Sequence, residues 1–129
     1  MTINLVGPIN SGVAVGGNGA ATANTSTANP IRGRVLGVYV RYNDTPPAGT
    51  TDAIIATAGN AAPALTILTL TDSATDKWVF PRLTPQGNTG ANLAALTVLE
   101  PAPIADNVNV KIDGANAGDS IDVWLLMEC

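Results

Sequence analysis

"IRGRVLGVYVRY", residues 31–42, is the longest strand candidate in the chain, and its reading decides the fold. Alternation along an extended backbone places Arg32, Arg34, Leu36, Val38, Val40 and Tyr42 on one face. Gly33, Val35, Gly37, Tyr39 and Arg41 fall on the other. Both faces are apolar in the middle, which is the pattern of a central strand covered on both sides. Such a strand needs neighbours in its own sheet and a second layer packed against it.

Those neighbours are legible on either side. TINLV (2–6) reads as a short strand stopped by Gly7-Pro8, and DAIIATA (52–58) and ALTILTLT (64–71) follow as strands. TDKWVFPR (75–82) carries Trp78 and Phe80 on one side, and its Pro81 assigns it to a sheet edge. ALTVL (95–99) is closed by Pro101 and Pro103. NVNVKI (107–112) alternates cleanly, and IDVWLLME (121–128) presents Ile121, Val123, Leu125 and Met127 to the core. Turn signals recur at short intervals and no segment has helical periodicity. The expected fold is therefore all-β, an antiparallel β-sandwich of about eight short strands with jelly-roll-like connections.

A chain of 129 residues fits one sandwich domain. Residues 10–29 contain small and polar side chains with no bulky anchor beyond Val13 and Val15. The expected organisation is an N-terminal strand with a flexible or partner-ordered arm over 1–29, then a sandwich over 30–129. An arm of this kind can reach a neighbouring subunit, and its removal should leave the sandwich folded. The loop "YNDTPPAGTTD" (42–52) is stiffened by Pro46 and Pro47 and reads as a preordered contact surface rather than a reactive loop.

Composition narrows the chemistry. Histidine is absent, which removes Ser-His-Asp and Cys-His catalysis and the common zinc sites. The single cysteine is the last residue, Cys129, so no intrachain disulfide can form. Paired carboxylates are the one catalytic device left, and five aromatics are few for a sugar-cleaving cleft. "DSATD" (72–76) and "DGANAGD" (113–119) offer spaced oxygen ligands of the kind calcium takes, but neither has EF-hand spacing, and both suit ordinary turns. No catalytic residue, metal site or cofactor is assigned. Six basic residues and a net charge of −4 do not make a phosphate-tracking groove, so nucleic acid is not an expected partner. No segment reads as a membrane span or a signal peptide, so no membrane partner is expected.

What remains is a surface with few charges. Charged residues make up only 12% of the chain, about half the usual share, and large neutral surfaces favour association. Trp124 and Leu126 fall on the second face of the last strand, where an exposed face should be polar. Either the chain's own loops or arm cover them, or a subunit does, since Trp is a frequent interface anchor. Arg32 and Arg34 either sit in solvent and pair with nearby acids or grip an acidic partner. Together with Pro46 and Pro47 these are the candidate interface residues.

The strings VYVRYNDTPPAGTTD, ATDKWVFPR and GDSIDVWLLME resemble, as a set, small β-rich decoration or cement proteins of tailed bacteriophages. The resemblance spans most of residues 31–128 and includes no catalytic or ligand signature. It implies a non-enzymatic structural protein, made in the host cytoplasm and bound to the outer surface of the virion capsid. Its expected partners are the major capsid protein and itself, as a homo-oligomer and most often a homotrimer. Two other readings stand beside it: another virion part such as a head fibre base or tail component, and a carbohydrate-binding sandwich module. The last requires exposed aromatics, with Trp78, Phe80 and Tyr42 as the residues that decide it.

Overall fold

The computed structural model describes residues 2–43, 47–84, 86, 88–91 and 99–129. Among these, nine strands form two antiparallel sheets. They are β1 (Ile3–Asn10), β2 (Ala21–Ser26), β3 (Ile31–Tyr42), β4 (Asp52–Thr57), β5 (Thr66–Leu70), β6 (Lys77–Val79), β7 (Ala102–Asp106), β8 (Val108–Ala115) and β9 (Ile121–Glu128). The first sheet runs β1-β9-β3-β6, with β7 also on β3, and the second runs β2-β8-β4-β5. β7 pairs with residues 31–35 of β3 and β6 with residues 38–40, so the two short strands share one edge position end to end. Eight positions result, in jelly-roll order: the β1–β2 and β3–β4 runs flank the β9–β8 run, and each run crosses between the sheets.

Two inner faces make the core. Val35, Val38 and Val40 on β3 and Val123, Leu125 and Met127 on β9 are buried and belong to the first sheet. Across from them, Ala53 and Ile55 on β4 and Val108, Val110 and Ile112 on β8 are buried from the second. The layers are filled by branched aliphatics, whose stiff side chains suit a pleated surface.

β3 departs from strict alternation. Val35 pairs with Met127 and Gly37 with Leu126, so Leu36 is an extra residue, a β-bulge. The bulge brings Val35 to the same inner side as Val38, Val40 and Tyr42. It also turns Arg32, Arg34 and Arg41 to the same outer side, which corrects the two-face assignment drawn from uninterrupted alternation.

The N-terminal third also differs from expectation. β1 does not stop at Gly7-Pro8 but continues to Asn10 through a register shift between Val6 and Ile9. Residues 21–26, expected within a flexible or partner-ordered arm, form β2 and pair with β8. Small side chains make this possible, because Ala21 and Ala14 tuck into the core where larger residues would not fit. Hydrogen bonding does not divide the chain at residue 29, since each sheet contains one strand from the first 29 residues. β7 was not expected at all. Pro103, which donates no hydrogen bond, lies within it, and β7 accordingly sits at a sheet edge. Most of the expected 95–99 strand lies outside the described residues.

The loop after β3 is clamped by backbone and side-chain bonds. Thr51 is buried and donates both its N–H and its hydroxyl to the Ala48 carbonyl, at 3.1 and 2.7 Å. The Thr50 hydroxyl donates to the Gly114 carbonyl at 2.7 Å, tying the loop to the end of β8. Pro47 is half-buried. Pro46 lies outside the described residues.

Candidate functional site

Tryptophan, tyrosine and phenylalanine number five in this chain, and four of them gather on the outer face of the first sheet. The pairing register explains how. Tyr39 on β3 stands opposite Trp124 on β9 and Trp78 on β6, so three adjacent strands each contribute a ring to one row. The Tyr39 ring centroid is 5.3 Å from Trp78 and 5.7 Å from Trp124, with the planes tilted by 45° and 50°. Two residues beyond Trp78, on the same side, Phe80 stacks within 10° of the Trp78 plane at 6.0 Å.

Glycine makes room for the row in two places. Gly37 lies in β3 beneath Phe80, and a Cβ there would come within 2.9 Å of the Phe80 ring. Gly7 on β1 has a φ of +144°, and a Cβ on it would meet the Val123 carbonyl oxygen at 2.7 Å and Trp124 Cδ1 at 2.9 Å. The absent side chains let Phe80 lie down on the sheet and let β1 press against one edge of Trp124.

The apolar surface continues to the opposite edge. Leu126 follows Trp124 on β9, and its partner Leu5 on β1 is 58% exposed, with Ile3 beside it at 55%. Trp78 is 46% and Phe80 57% exposed, whereas Trp124, Leu126 and Tyr39 are half-buried. A sandwich face of this kind is ordinarily polar, and a band of apolar side chains across β1, β9, β3 and β6 sets this one apart.

Two of the three arginines on the face are paired with carboxylates of the same chain. Arg41 donates to Asp122 at 2.6 Å, and its guanidinium lies 4.9 Å from the centre of the Trp124 ring. Asn10 donates to the other Asp122 oxygen at 2.8 Å. Burial by itself would raise the Asp122 pKa, but the hydrogen bonds from Asn10 and Arg41 outweigh it and hold the carboxyl below its ordinary value. Arg34 pairs with Glu128 at 3.4 Å. Arg32 has no ion pair among the described residues.

Of the sequence candidates, the structure therefore unites Arg32, Arg34, Trp124 and Leu126 on one outer face. Pro47 lies beyond the far end of β3, in the loop, and is not part of it. Trp124 is covered in part by its own chain, through Gly7, Tyr39 and Arg41. Tyr39, Leu5 and Ile3 were not singled out from sequence. The "LG" pair that breaks the valine spacing in RVLGVYV was the available signal, because glycine inside a strand often marks a bulge. Of the three aromatics that decide the carbohydrate reading, Trp78 and Phe80 are exposed and Tyr42 is buried in the core.

A concavity of about 270 Å³ lies between β7 and the β4–β5 loop, lined by Thr57, Pro63, Leu65, Pro103, Ile104 and Asp106. Its carboxylate is occupied: Asp106 accepts from the backbone N–H groups of Asn60, Ala61 and Asn107 at 3.0, 3.2 and 2.7 Å. Burial opposes ionisation there, yet these N–H groups hold the Asp106 pKa below its ordinary value. Among the described residues no three acidic or cysteine side chains cluster as a metal site would require. No protein-family model, curated protein or solved structure matches this chain.

Proposed function

We propose that this chain is a non-enzymatic structural protein of a bacteriophage virion, bound to the outer surface of the capsid and reinforcing contacts between major capsid subunits. The observation that carries the reading is the apolar band across the outer face of the first sheet, with Arg41–Asp122 and Arg34–Glu128 neutralised beside it. A partly desolvated Trp124 with Tyr39 and Arg41 against its ring has the composition of an interface hot spot. Docking is placed on the β1–β9–β3 part of the face, where Leu5, Leu126 and Trp124 meet. Jelly rolls serve as viral shell domains and as lectins alike, so the fold is compatible with this role without specifying it.

In this reading the protein is a homo-oligomer, a trimer by the family resemblance, and it needs no cofactor. The test is light scattering of the isolated protein, followed by co-sedimentation with capsids assembled from the major capsid protein of the same phage. An oligomer that saturates the capsids, and loses binding in Leu126→Arg, supports the proposal. A monomer that stays in the supernatant rules it out.

A further inference from the structure

We infer that the Trp78–Phe80 pair is a stacking platform for a neutral saccharide, a site separate from the Leu5–Leu126–Trp124 docking area. Both rings lie on and just beyond β6, an edge strand, while Leu5 lies on β1 at the opposite edge of the same sheet. Trp78 is 46% and Phe80 57% exposed there. The platform goes beyond the capsid reading and does not depend on it.

Geometry and charge both select the ligand. Trp78 and Phe80 lie within 10° of parallel, and each leaves about half of its surface to solvent. Tyr39, tilted by 45° to Trp78, closes the inner side as a wall. Two parallel rings present electron-rich faces, which complement the weakly positive C–H groups on the flat face of a pyranose. A sugar also needs hydrogen-bond donors at its rim. Arg82 Nη1 donates to the carbonyls of Leu36 and Pro81, each at 2.8 Å, which holds the guanidinium at the end of β6, and a guanidinium carries five N–H donors in all.

A single-stranded nucleic acid also stacks on aromatic rings, but it requires a cationic track. Here the net charge is −4, and Arg41 and Arg34 are already paired with carboxylates. A neutral, hydroxyl-rich ligand is the occupant that meets this surface without an electrostatic penalty.

Affinity electrophoresis of the full chain through gels containing hydroxyethyl cellulose, xylan, dextran or mannan tests the inference. At least one polysaccharide is expected to retard the protein. Trp78→Ala and Phe80→Ala should each weaken that retardation by about tenfold or more, while Trp78→Phe retains most of it and Leu5→Ala leaves it unchanged. Thermal melts of each variant establish that it is folded. No retardation in any of the four gels overturns the site, as does retardation that both alanine variants preserve. If the ring variants bind no polysaccharide and also stop co-sedimenting with capsids, the rings belong to the protein interface and the inference is wrong. If saccharide binding is found and capsid binding is not, the platform stands and the capsid proposal falls.

Discussion

Gly37→Ala is a single-methyl change whose consequences differ for stability and for the aromatic row. Gly37 is in the middle of β3, and its backbone does not adopt a positive φ, so alanine meets no backbone strain. The new methyl would stand 2.9 Å from Phe80 Cδ1 and Cε1 and 3.6 Å from Trp78 Cζ3. Ordinary carbon contacts begin near 3.5 Å, so the Phe80 ring must retreat by roughly 0.6–1 Å. It is exposed and free to tilt, at a cost of about 0.5–1.5 kcal/mol for an off-rotamer side chain. Against this, replacing glycine at a compatible position stabilises by about 0.4–1 kcal/mol through the unfolded state. The two nearly cancel, and stability should change by less than about 1 kcal/mol. Urea unfolding measures that term, and near-ultraviolet circular dichroism reports the coupling between Trp78 and Phe80. The expected result is an almost unchanged unfolding midpoint with an altered aromatic spectrum and weakened polysaccharide retardation. A loss of more than about 3 kcal/mol, the scale of core disruption, would refute the placement of Gly37 on the outer face beneath a ring that can move.

Other outcomes follow from the same geometry. Asp122→Asn removes the charge-assisted bond to Arg41, and because Arg41 is half exposed the cost should be about 1 kcal/mol at pH 7, measured by urea unfolding. Since the Asp122 pKa is lowered on folding, its contribution is present above about pH 4 and is lost as pH falls through the folded-state value, so wild type and variant should converge in acid. Asp106→Ala frees the N–H groups of Asn60 and Ala61, whose amide exchange should accelerate while that of β8 and β9 does not. Deleting residues 2–26 removes β1 from one sheet and β2 from the other, so the product should lack a cooperative thermal transition. A folded truncation product would show that these strands are dispensable, as an arm would be.

The fold was legible where side chains carry a strong period. The 31–42 and 121–128 segments coincide with β3 and β9, because runs of Val, Ile, Leu and Tyr over these lengths leave few alternatives. The 52–58, 64–71 and 75–82 segments likewise hold β4, β5 and β6, 107–112 covers most of β8, and weak patterns hid β2 and β7. β2 reads ATANTS, and its place comes from pairing with β8 and the small volume of Ala21, neither visible in a local window. β7 carries a proline that argues against a strand everywhere except at an edge. For the site, Trp124 and Leu126 stood out because they occupy the polar face of a strand. Their link to Tyr39, Trp78 and Phe80 depends on cross-strand register and on one bulged residue, and a one-residue slip exchanges the two faces of a strand. The three arginines show this directly. Strict alternation divides Arg32 and Arg34 from Arg41, and the bulge at Leu36 returns all three to one face.

The central claim is that the β1–β9–β3 outer face is covered when the protein is bound to a capsid. Hydroxyl-radical footprinting, comparing free and capsid-bound protein by mass spectrometry, addresses it directly. Oxidation of Leu5, Trp124 and Leu126 should fall on binding, while Val13 and Val15, exposed in the β1–β2 connection, should stay reactive. Protection of Val13 and Val15 with unchanged oxidation of Leu5, Trp124 and Leu126 would contradict the account and move the contact to the loop end of the sandwich.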